Sequence, residues 1–368
     1  MIYLDNAATT KPYDEVIEIL KEASLKDFMN PSSLHEGGLL VSNKIELARK
    51  SIADLLHVNK DEIFFTSGGT EANNLAINMA SGGIITTIAE HPSVLSPIER
   101  KKSKQKVYYV KIDKYAKANL DSLEELLTGD VSFISIMHIN NELGTINNID
   151  EIGKLIKLKC PDAIFHVDGV CSFSKEFISL RYVDLFTFSS HKINGPKGVG
   201  AIWARSSYKD KLKPLFFGGS QENKKRPGTE NSAAILAFAK ASEISFENNL
   251  SNKIKIKSLK TEFIKNLENL KVDYVVNSPE DGSCYILNIS FLKIKAQVLV
   301  NALSSEGIYV STGAACSLND KKNILKSLSL PDEISETALR ISFSHENTIE
   351  EMIIVAEKIA YFSKILAI

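Results

Sequence analysis

The sequence lacks the features that mark secreted, membrane-spanning and nucleic-acid-binding proteins. Its 368 residues include four cysteines and no C-x-x-C pair, a pattern that fits neither a disulfide framework nor a zinc site. The 44 basic residues are balanced by 45 acidic ones, so no excess of positive charge favours nucleic acid or an anionic membrane as a direct ligand. No stretch approaches the roughly 18 apolar residues of a membrane span, and the N-terminal residues do not resemble a secretory signal. We therefore expect a cytoplasmic protein.

Short apolar runs recur between helical stretches, and they indicate the fold class. The runs cover 63–65, 83–88, 107–110, 131–137, 163–167, 185–188 and 200–203. Apolar residues that continue without alternation are typical of strands covered on both faces. The pattern therefore predicts an α/β protein with a mainly parallel, seven-stranded sheet flanked by helices.

The pattern changes near residue 233, which predicts a second domain. Two segments with helical periodicity, 233–246 and 254–270, are followed by strands near 285–290 and 341–343 and by a closing helix from Ile349. We expect a large domain over 14–250 and a smaller α/β domain formed by 1–13 and 251–368.

A run of small residues follows the first predicted strand. Ser67, Gly68, Gly69 and Thr70 lead into a helix whose free backbone N–H groups can hold a phosphate. The run has no lysine at the position that a P-loop requires, which disfavours a nucleoside triphosphate. An ordinary capped helix is an equally good interpretation.

An acid and a lysine follow two later predicted strands. Asp168 and Lys192 suit pyridoxal phosphate, because a carboxylate keeps the pyridine nitrogen protonated and a lysine binds the cofactor covalently. A salt bridge at the rim of the sheet explains the pair equally well. His91, after another predicted strand, suits ring stacking or proton transfer, although a lone histidine is more often structural.

The four cysteines differ in their surroundings. Cys160 and Cys284 lie beside apolar strands and are expected to be small buried residues. Cys316 follows a run of small residues and leads into a polar segment, a pattern typical of a loop. An exposed thiol on a loop is a liability unless it is used, so we predict a chemical role for Cys316.

Eight short segments, spread in order along the chain, carry distinctive motifs. They are YLDNAATT (3–10), NPSSLH (30–35), FTSGGTE (65–71), EH (90–91), HINNE (138–142), HVD (166–168), SSHK (189–192) and RPGTEN (226–231). In this order they resemble the motifs of the cysteine desulfurases, which belong to the class V aminotransferases of fold type I. The run of small residues before Cys316 resembles that of the long-loop subgroup.

The resemblance implies a pyridoxal 5'-phosphate site. Lys192 would bind the cofactor covalently, His91 would stack on its ring, and Asp168 would pair with its pyridine nitrogen. Several further residues would hold the cofactor or the substrate. For the phosphate these are Gly69, Thr70, Ser189 and His191, with Thr229 from the other subunit of a homodimer; for the substrate they are Asn30, Asn141 and Arg340.

The resemblance also implies the reaction and the partners. L-cysteine would become L-alanine, and its sulfur would move to Cys316 as a persulfide. Either Lys192 or His91 would move the α-proton. The sulfur would then pass to an iron-sulfur scaffold or to a tRNA-thiolation enzyme.

The sequence departs from the family pattern at several positions. Cys171 stands where the family has the glutamine that bonds the ring oxygen of the cofactor; a thiol is a weaker donor, so Cys171 is either a tolerated small residue or a second functional thiol. Asn223 and Lys224 replace an arginine and a glycine, and Ser344 replaces a glycine. Two alternatives therefore stay open. One is another pyridoxal-phosphate enzyme of this fold, a selenocysteine or cystine lyase or an aminotransferase; the other is a catalytically weak paralogue.

Overall fold

The computed structural model describes residues 1–312 and 324–366. Its strands are β1 (Ile2–Tyr3), β2 (Ile63–Thr66), β3 (Gly83–Thr87), β4 (Val107–Val110), β5 (Val131–Ser135), β6 (Ile164–Asp168), β7 (Leu185–Ser189), β8 (Gly200–Ala204), β9 (Tyr274–Val276), β10 (Ile286–Phe291), β11 (Ile308–Tyr309) and β12 (Ala338–Ser342). Its helices are α1 (Asp14–Lys26), α2 (Glu36–Leu56), α3 (Gly69–Ile77), α4 (Pro92–Lys101), α5 (Leu120–Leu126), α6 (Ile149–Lys159), α7 (Ser206–Lys209), α8 (Ser232–Glu247), α9 (Asn249–Asn269), α10 (Ala296–Ser305), α11 (Ile324–Ser327), α12 (Asp332–Ser335) and α13 (Ile349–Ile365).

The seven strands expected from apolar runs form one sheet, in the order β2-β8-β7-β6-β5-β3-β4. β8 is antiparallel to both of its neighbours, and the other pairs are parallel. Every residue of β6, β7 and β8 is buried, as strands covered on both faces require. The predicted fold class is confirmed, although β5 ends two residues before the apolar run does.

Residues after 270 add a smaller antiparallel sheet in the order β12-β10-β9. β1 does not join either of these sheets but pairs in parallel with β11, which ties residues 2–3 to residues 308–309. The strand expected at 341–343 begins three residues earlier, at Ala338. The predicted helix 254–270 begins at Asn249, directly after α8.

The buried apolar residues fall into separate clusters. One includes Phe165, Phe186 and Phe238 and draws on residues from Val16 to Ala241. Another combines Leu4 with residues between 256 and 362. Leu4 is fully buried there, so the N-terminal segment packs with the C-terminal residues. The division into two domains at residue 250 stays a prediction.

No helix in the described ranges combines the length and the apolar character needed to span a bilayer.

Four strands of the large sheet bring polar residues to one edge. β2, β3, β6 and β7 run in the same direction, so their carboxyl ends meet there. β6 ends at Asp168, and β7 ends at Ser189 just before the 3₁₀ helix Ser190–Lys192. This edge is where open α/β sheets bind their ligands.

Candidate active site

Lys192 ends the 3₁₀ helix that follows β7, and its amine faces the N-terminal segment. Its Nζ donates to the carbonyl oxygens of Ala7 and Ala8, the latter at 3.0 Å. Burial lowers the pKa of Lys192; nearby Cys171 opposes this shift and Arg340 adds to it. A lysine with a lowered pKa is more readily neutral, and the neutral amine is the nucleophilic and basic form.

Asp168, at the end of β6, is buried and accepts hydrogen bonds at both carboxylate oxygens. Its Oδ1 accepts from the backbone N–H of Val170 at 2.9 Å, and its Oδ2 accepts from Asn73 Nδ2 at 2.8 Å. Both partners are donors, which is the arrangement that an ionised carboxylate requires. Asp168 is therefore held as an acceptor for a further proton-bearing group.

His91 is the N-cap of α4 and lies close to both Asp168 and Lys192. Its Nδ1 accepts from the backbone N–H of Ser93 at 3.1 Å. Burial lowers the pKa of His91; the charge of Asp168 opposes that change, and the charge of Lys192 adds to it. His91 is therefore favoured in its neutral form at neutral pH.

The N-terminus of α3 and the end of β7 form a polar recess. Gly68, just before α3, has φ of +149°, a conformation that residues with side chains rarely adopt. Gly200 packs against it so closely that a Cβ on Gly200 would lie 2.8 Å from the Cα of Gly68. The hydroxyl oxygens of Ser189 and Ser190 are buried and have no hydrogen-bond partner in the described parts of the chain. The Ser189 hydroxyl lies near this turn, 3.9 Å from the position of a Cβ on Gly68, whereas the Ser190 hydroxyl lies against Gly195. An unpaired hydroxyl beside free helix N–H groups matches the donors that a phosphate needs.

His191 lies at the same end of the site. Its Nδ1 is 3.2 Å from Thr9 Oγ1, and burial lowers the pKa of His191 to about 4. A neutral imidazole can still donate one hydrogen bond to a phosphate, so the predicted role of His191 needs no positive charge.

Arg340 lies in the middle of β12 and is 4% exposed, which makes it a buried residue rather than a surface charge. Its Nη2 donates to Asp5 Oδ1 at 2.8 Å, and its Nη1 donates to the backbone carbonyl of Asn141 at 3.0 Å. The buried Nε finds no partner among residues 1–312 and 324–366. Both Nη groups of the guanidinium are therefore held, and the buried Nε–H is the donor that these bonds leave unused.

We call Lys192, Asp168, His91 and Arg340 the Lys192 cluster. The charges of Arg340 and Asp168 each act on Lys192, and the charges of Asp168 and Lys192 act on His91. The sequence-predicted residues Lys192, Asp168, His91 and Arg340 are thus brought together. Their donors and acceptors fit pyridoxal phosphate: a carboxylate for the ring nitrogen, an amine for the aldehyde, and the unpaired Ser189 hydroxyl for the phosphate.

Some other predicted site residues are exposed or lie outside the described residues. Asn30 is exposed, and its side chain accepts from Ser32 within its own turn. Thr70 lies exposed in the first turn of α3, and Thr229 is exposed in the loop before α8. Cys316 lies outside the described residues. The roles of all these residues stay predictions.

Cys171 lies near the cluster and is partly buried. It packs with Ala7, Ile139 and Ile286 in a small apolar group. Its electrostatic interaction with Lys192 acts to raise the pKa of that lysine, against the larger effect of burial. Its surroundings therefore suit a small apolar side chain as well as a thiol. Neither of its two predicted interpretations is tested by these contacts.

The departures at Lys224 and its neighbours have a visible conformational cost. Glu222, Asn223 and Lys224 all have positive φ, at 47°, 52° and 66°, where a non-glycine residue costs about 1 kcal/mol. Glu222 compensates because its carboxylate forms two 2.8 Å hydrogen bonds with Arg49. Ser344 does not have positive φ, so replacing glycine there adds no strain of this kind.

Three residues of the site were missed from the sequence. Asn73 and Ser93 connect Asp168 with His91, and Asp5 holds Arg340. A signal for Asn73 was available, because it lies on the buried face of α3 beside Ala72 and Ala76, where a polar residue needs a partner. Asp5 offered no comparable signal, since its partner is 335 residues away.

Comparisons with known proteins give a consistent result. The family model described as Aminotransferase class-V matches residues 2–355. A protein named cysteine desulfurase IscS from Dictyoglomus turgidum is 37% identical over 364 residues, which cover 95% of this chain and 91% of that one. A solved structure titled NifS-like protein has a TM-score of 0.92 and 34% identity, covering 99% of this chain and all of that one. A structure titled SspA in complex with cysteine has a TM-score of 0.82 and 30% identity, covering 95% of this chain and all of that one.

Proposed function

The chain belongs to the class-V aminotransferase family, and from that membership we propose that it is a pyridoxal-phosphate-dependent cysteine desulfurase. It converts L-cysteine to L-alanine and keeps the sulfur on Cys316 as a persulfide. The observation that carries this proposal is the Lys192 cluster, in which an amine with a lowered pKa lies close to a guanidinium whose Nε–H has no partner in the described residues. A similar solved structure is titled SspA in complex with cysteine, which is a sulfur-bearing amino acid.

The residues of the site divide the work of binding. Asp168 would hold the ring nitrogen of the cofactor, Lys192 would bind its aldehyde carbon, and Ser189 would hold its phosphate. Pyridoxal phosphate, when bound, withdraws electrons from the α-carbon of an amino acid. Arg340 would bind the substrate carboxylate through its Nε–H, because Asp5 and Asn141 already hold its Nη2 and Nη1 groups. Lys192, with its lowered pKa, accepts the α-proton at Nζ.

The sulfur-transfer step belongs to Cys316. Its thiolate attacks the sulfur of the substrate, so an S–S bond forms as the Cβ–S bond breaks. The electron pair of the broken bond stays with carbon, which takes up a proton. One cysteine and one enzyme thiol thus give one alanine and one enzyme persulfide, and no external oxidant or reductant is needed.

The proposed reaction is tested by incubating the pyridoxal-phosphate-loaded protein with L-cysteine. We expect intact-protein mass spectrometry to find an adduct of one sulfur atom and amino-acid analysis to find alanine in the same tube. A reducing thiol should remove the adduct, because a persulfide is reducible. Absence of both alanine and adduct would contradict the proposal and favour the catalytically weak paralogue.

Asp5 provides a test of substrate binding. We expect Asp5→Asn to raise KM for L-cysteine by about tenfold with little change in kcat, because a charge-assisted hydrogen bond that orients Arg340 is weakened. Initial rates of alanine formation across cysteine concentrations give both constants. Asp281→Asn, which removes a carboxylate from an exposed ion pair, is the matched control. A lower KM would instead mean that Asp5 competes with the substrate carboxylate.

A homodimer is part of the proposal. Exposed apolar side chains lie on and near α1 and α2, including Leu25, Phe28 and Leu34 at 70%, 74% and 91% exposed. Exposed apolar residues at this density are typical of protein interfaces. Thr229 is exposed in the loop before α8. A residue that reaches the site of a partner subunit has to be exposed in its own subunit. Sedimentation should give twice the 40.7 kDa chain mass; a single-chain mass would contradict the dimer.

The acceptor is proposed to be an iron-sulfur scaffold or a tRNA-thiolation enzyme. The three cysteines that the structure describes are free thiols, which suits a reducing compartment such as the cytoplasm. Mixing the sulfur-loaded protein with each purified acceptor, and following sulfur by mass, distinguishes the two. Transfer to neither acceptor would contradict this part of the proposal.

A further inference from the structure

Asn73 on α3 is fully buried and joins two members of the Lys192 cluster. Its Nδ2 lies 2.8 Å from Asp168 Oδ2 and 2.8 Å from Ser93 Oγ, and Ser93 Oγ lies 2.7 Å from His91 Nδ1. One amide therefore contacts Asp168 directly and His91 through a single hydroxyl. Neither contact is needed to form α3, whose backbone bonds are made without this side chain.

The donors and acceptors of this connection have only one consistent assignment. The carboxylate of Asp168 can only accept, so the Asn73 atom facing it must be the NH₂ group. That same NH₂ group faces Ser93 Oγ, which therefore accepts from Asn73. The hydroxyl hydrogen of Ser93 is then left to donate to His91 Nδ1.

The backbone gives the same direction. The N–H of Ser93 also points at His91 Nδ1, at 3.1 Å. A hydrogen on Nδ1 would therefore face another hydrogen, which is unfavourable at this distance. The backbone N–H of Ser93 therefore requires Nδ1 to be an acceptor, and the hydroxyl of Ser93, which could otherwise accept from that nitrogen, donates to it.

The opposite end of Asn73 is fixed as well. Thr187 Oγ1 donates to Asn73 Oδ1 at 2.5 Å, and His166 Nε2 lies 3.2 Å from the same hydroxyl. Ser135 Oγ lies 2.9 Å from His166 Nδ1. Since Thr187 donates to Asn73, it accepts from His166 Nε2, and Ser135 donates to Nδ1. Asn73, Thr187, His166 and Ser135 are each fully buried, so water does not replace any of these bonds.

We propose that Asn73 is a positioning residue which, through Ser93, holds His91 as a neutral imidazole with its proton on Nε2. The hydrogen-bond geometry of this inference is independent of the proposed function, whereas its consequence for the reaction rests on that function. A ring in this state can stack on the cofactor and donate from Nε2, but it cannot accept a proton there. Of the two candidates for taking the α-proton, the network leaves that step to Lys192.

The charges around His91 act in opposite directions on its protonation. The charge of Asp168 raises the pKa of His91, and the charge of Lys192 lowers it. His191 lies close enough to His91 for His91 to lower the pKa of His191. Because Asp168 is already bonded to Asn73 and Val170, its attraction for a proton on His91 is shared among donors. Burial of His91 adds to the preference for the neutral ring.

The direct test reads the proton positions in the pyridoxal-phosphate-loaded protein. With ¹⁵N-histidine labelling, two-bond ¹H–¹⁵N correlation spectra separate the Nε2–H, Nδ1–H and doubly protonated rings, and His91→Gln assigns the signal among the seven histidines. We expect the Nε2–H pattern for His91 from about pH 6 to 8. A Nδ1–H or doubly protonated ring across this range would overturn the proposal.

Two variants and a matched control test the connection itself. Ser93→Ala removes the hydroxyl donor, so we expect the pKa of His91 to rise by about half a unit to one unit. Asn73→Ala should shift it in the same direction by less, because the serine hydroxyl is freed rather than lost. Asn74→Ala is the control: this neighbour on α3 donates to the carbonyls of Thr70 and Ser93 and should leave the His91 signal unchanged.

The outcomes separate the inference from the proposed function. An unchanged His91 signal in Ser93→Ala would overturn the inference even if cysteine is desulfurated normally. The expected spectra without any alanine would retain the inference and contradict the function. If Asn73→Ala fails to fold, as circular dichroism would show, Ser93→Ala and the wild-type spectrum still decide the matter.

Discussion

Cys316→Ser is expected to abolish both the sulfur adduct and alanine formation from L-cysteine. A serine hydroxyl is not ionised at neutral pH and is a poor nucleophile toward sulfur, so the Cβ–S bond of the substrate is not broken. The loss should exceed about 10⁴-fold, because the substitution removes the nucleophile that is proposed to take the sulfur. Intact-protein mass spectrometry and amino-acid analysis on the same samples measure both products.

The other three cysteines provide the controls. Burial raises the pKa of Cys160 and that of Cys284, which disfavours the thiolate that the reaction requires. Cys160→Ser and Cys284→Ser should therefore retain the adduct. Cys171→Ser tests the thiol that lies beside Lys192, and we expect its adduct to remain as well.

The alternatives give different patterns in this experiment. Alanine formed by Cys316→Ser at the wild-type rate would favour a lyase in which the loop thiol is dispensable. Loss of the adduct in Cys171→Ser, with Cys316→Ser unaffected, would move the sulfur-carrying role to Cys171. Either result would contradict the assignment of Cys316.

Lys192→Ala is expected to lower the rate of alanine formation by about 10⁴-fold or more. The variant loses the amine that is proposed to bind the cofactor covalently and to take the α-proton. Its cofactor should be removed by gel filtration, whereas the wild-type protein should retain it. Alanine assays, together with cofactor content after borohydride treatment, measure the two losses separately.

Lys197→Ala is the matched control for this prediction. Lys197 lies five residues later, is exposed, and is not a member of the Lys192 cluster. Its variant should keep both cofactor and rate. Covalently retained cofactor in Lys192→Ala would show that another amine binds it, and the partly buried Lys175, whose pKa is lowered to about 8 by burial, would be the first to examine.

The fold was accessible from the sequence because its central strands are marked by continuous apolar runs. β6 and β7 are buried on both faces, so apolar residues predominate along them, with His166 and Thr187 as the polar exceptions before each strand ends. The change to a polar residue at that point identified Asp168 and Lys192 without any knowledge of packing. Local pattern and position on the sheet were sufficient to select these two residues as candidates, and the resemblance to the cysteine desulfurases then implied their role.

The partners of the site residues were not accessible in the same way. Arg340 was as consistent with a surface charge as with a buried clamp, because one charged residue in a short strand does not define its neighbours. Arg340 and its partner Asp5 are 335 residues apart in the sequence, and Asn73 and Asp168 are 95 residues apart. Such pairs follow from tertiary packing and not from local periodicity.

Residues 2–10 connect the ends of the chain to the catalytic centre, and this has a consequence for biosynthesis. β1 pairs with β11, and the Asn6 side chain donates a hydrogen bond to the carbonyl of Ser342. The carbonyls of Ala7 and Ala8 accept hydrogen bonds from Lys192 Nζ. The Asn6–Ser342 bond spans 336 residues, so this segment leaves the ribosome long before its partners are made. The large sheet can form during translation, but the active site closes only when β12 has emerged. Catalytic competence is therefore among the last properties that the newly made chain acquires.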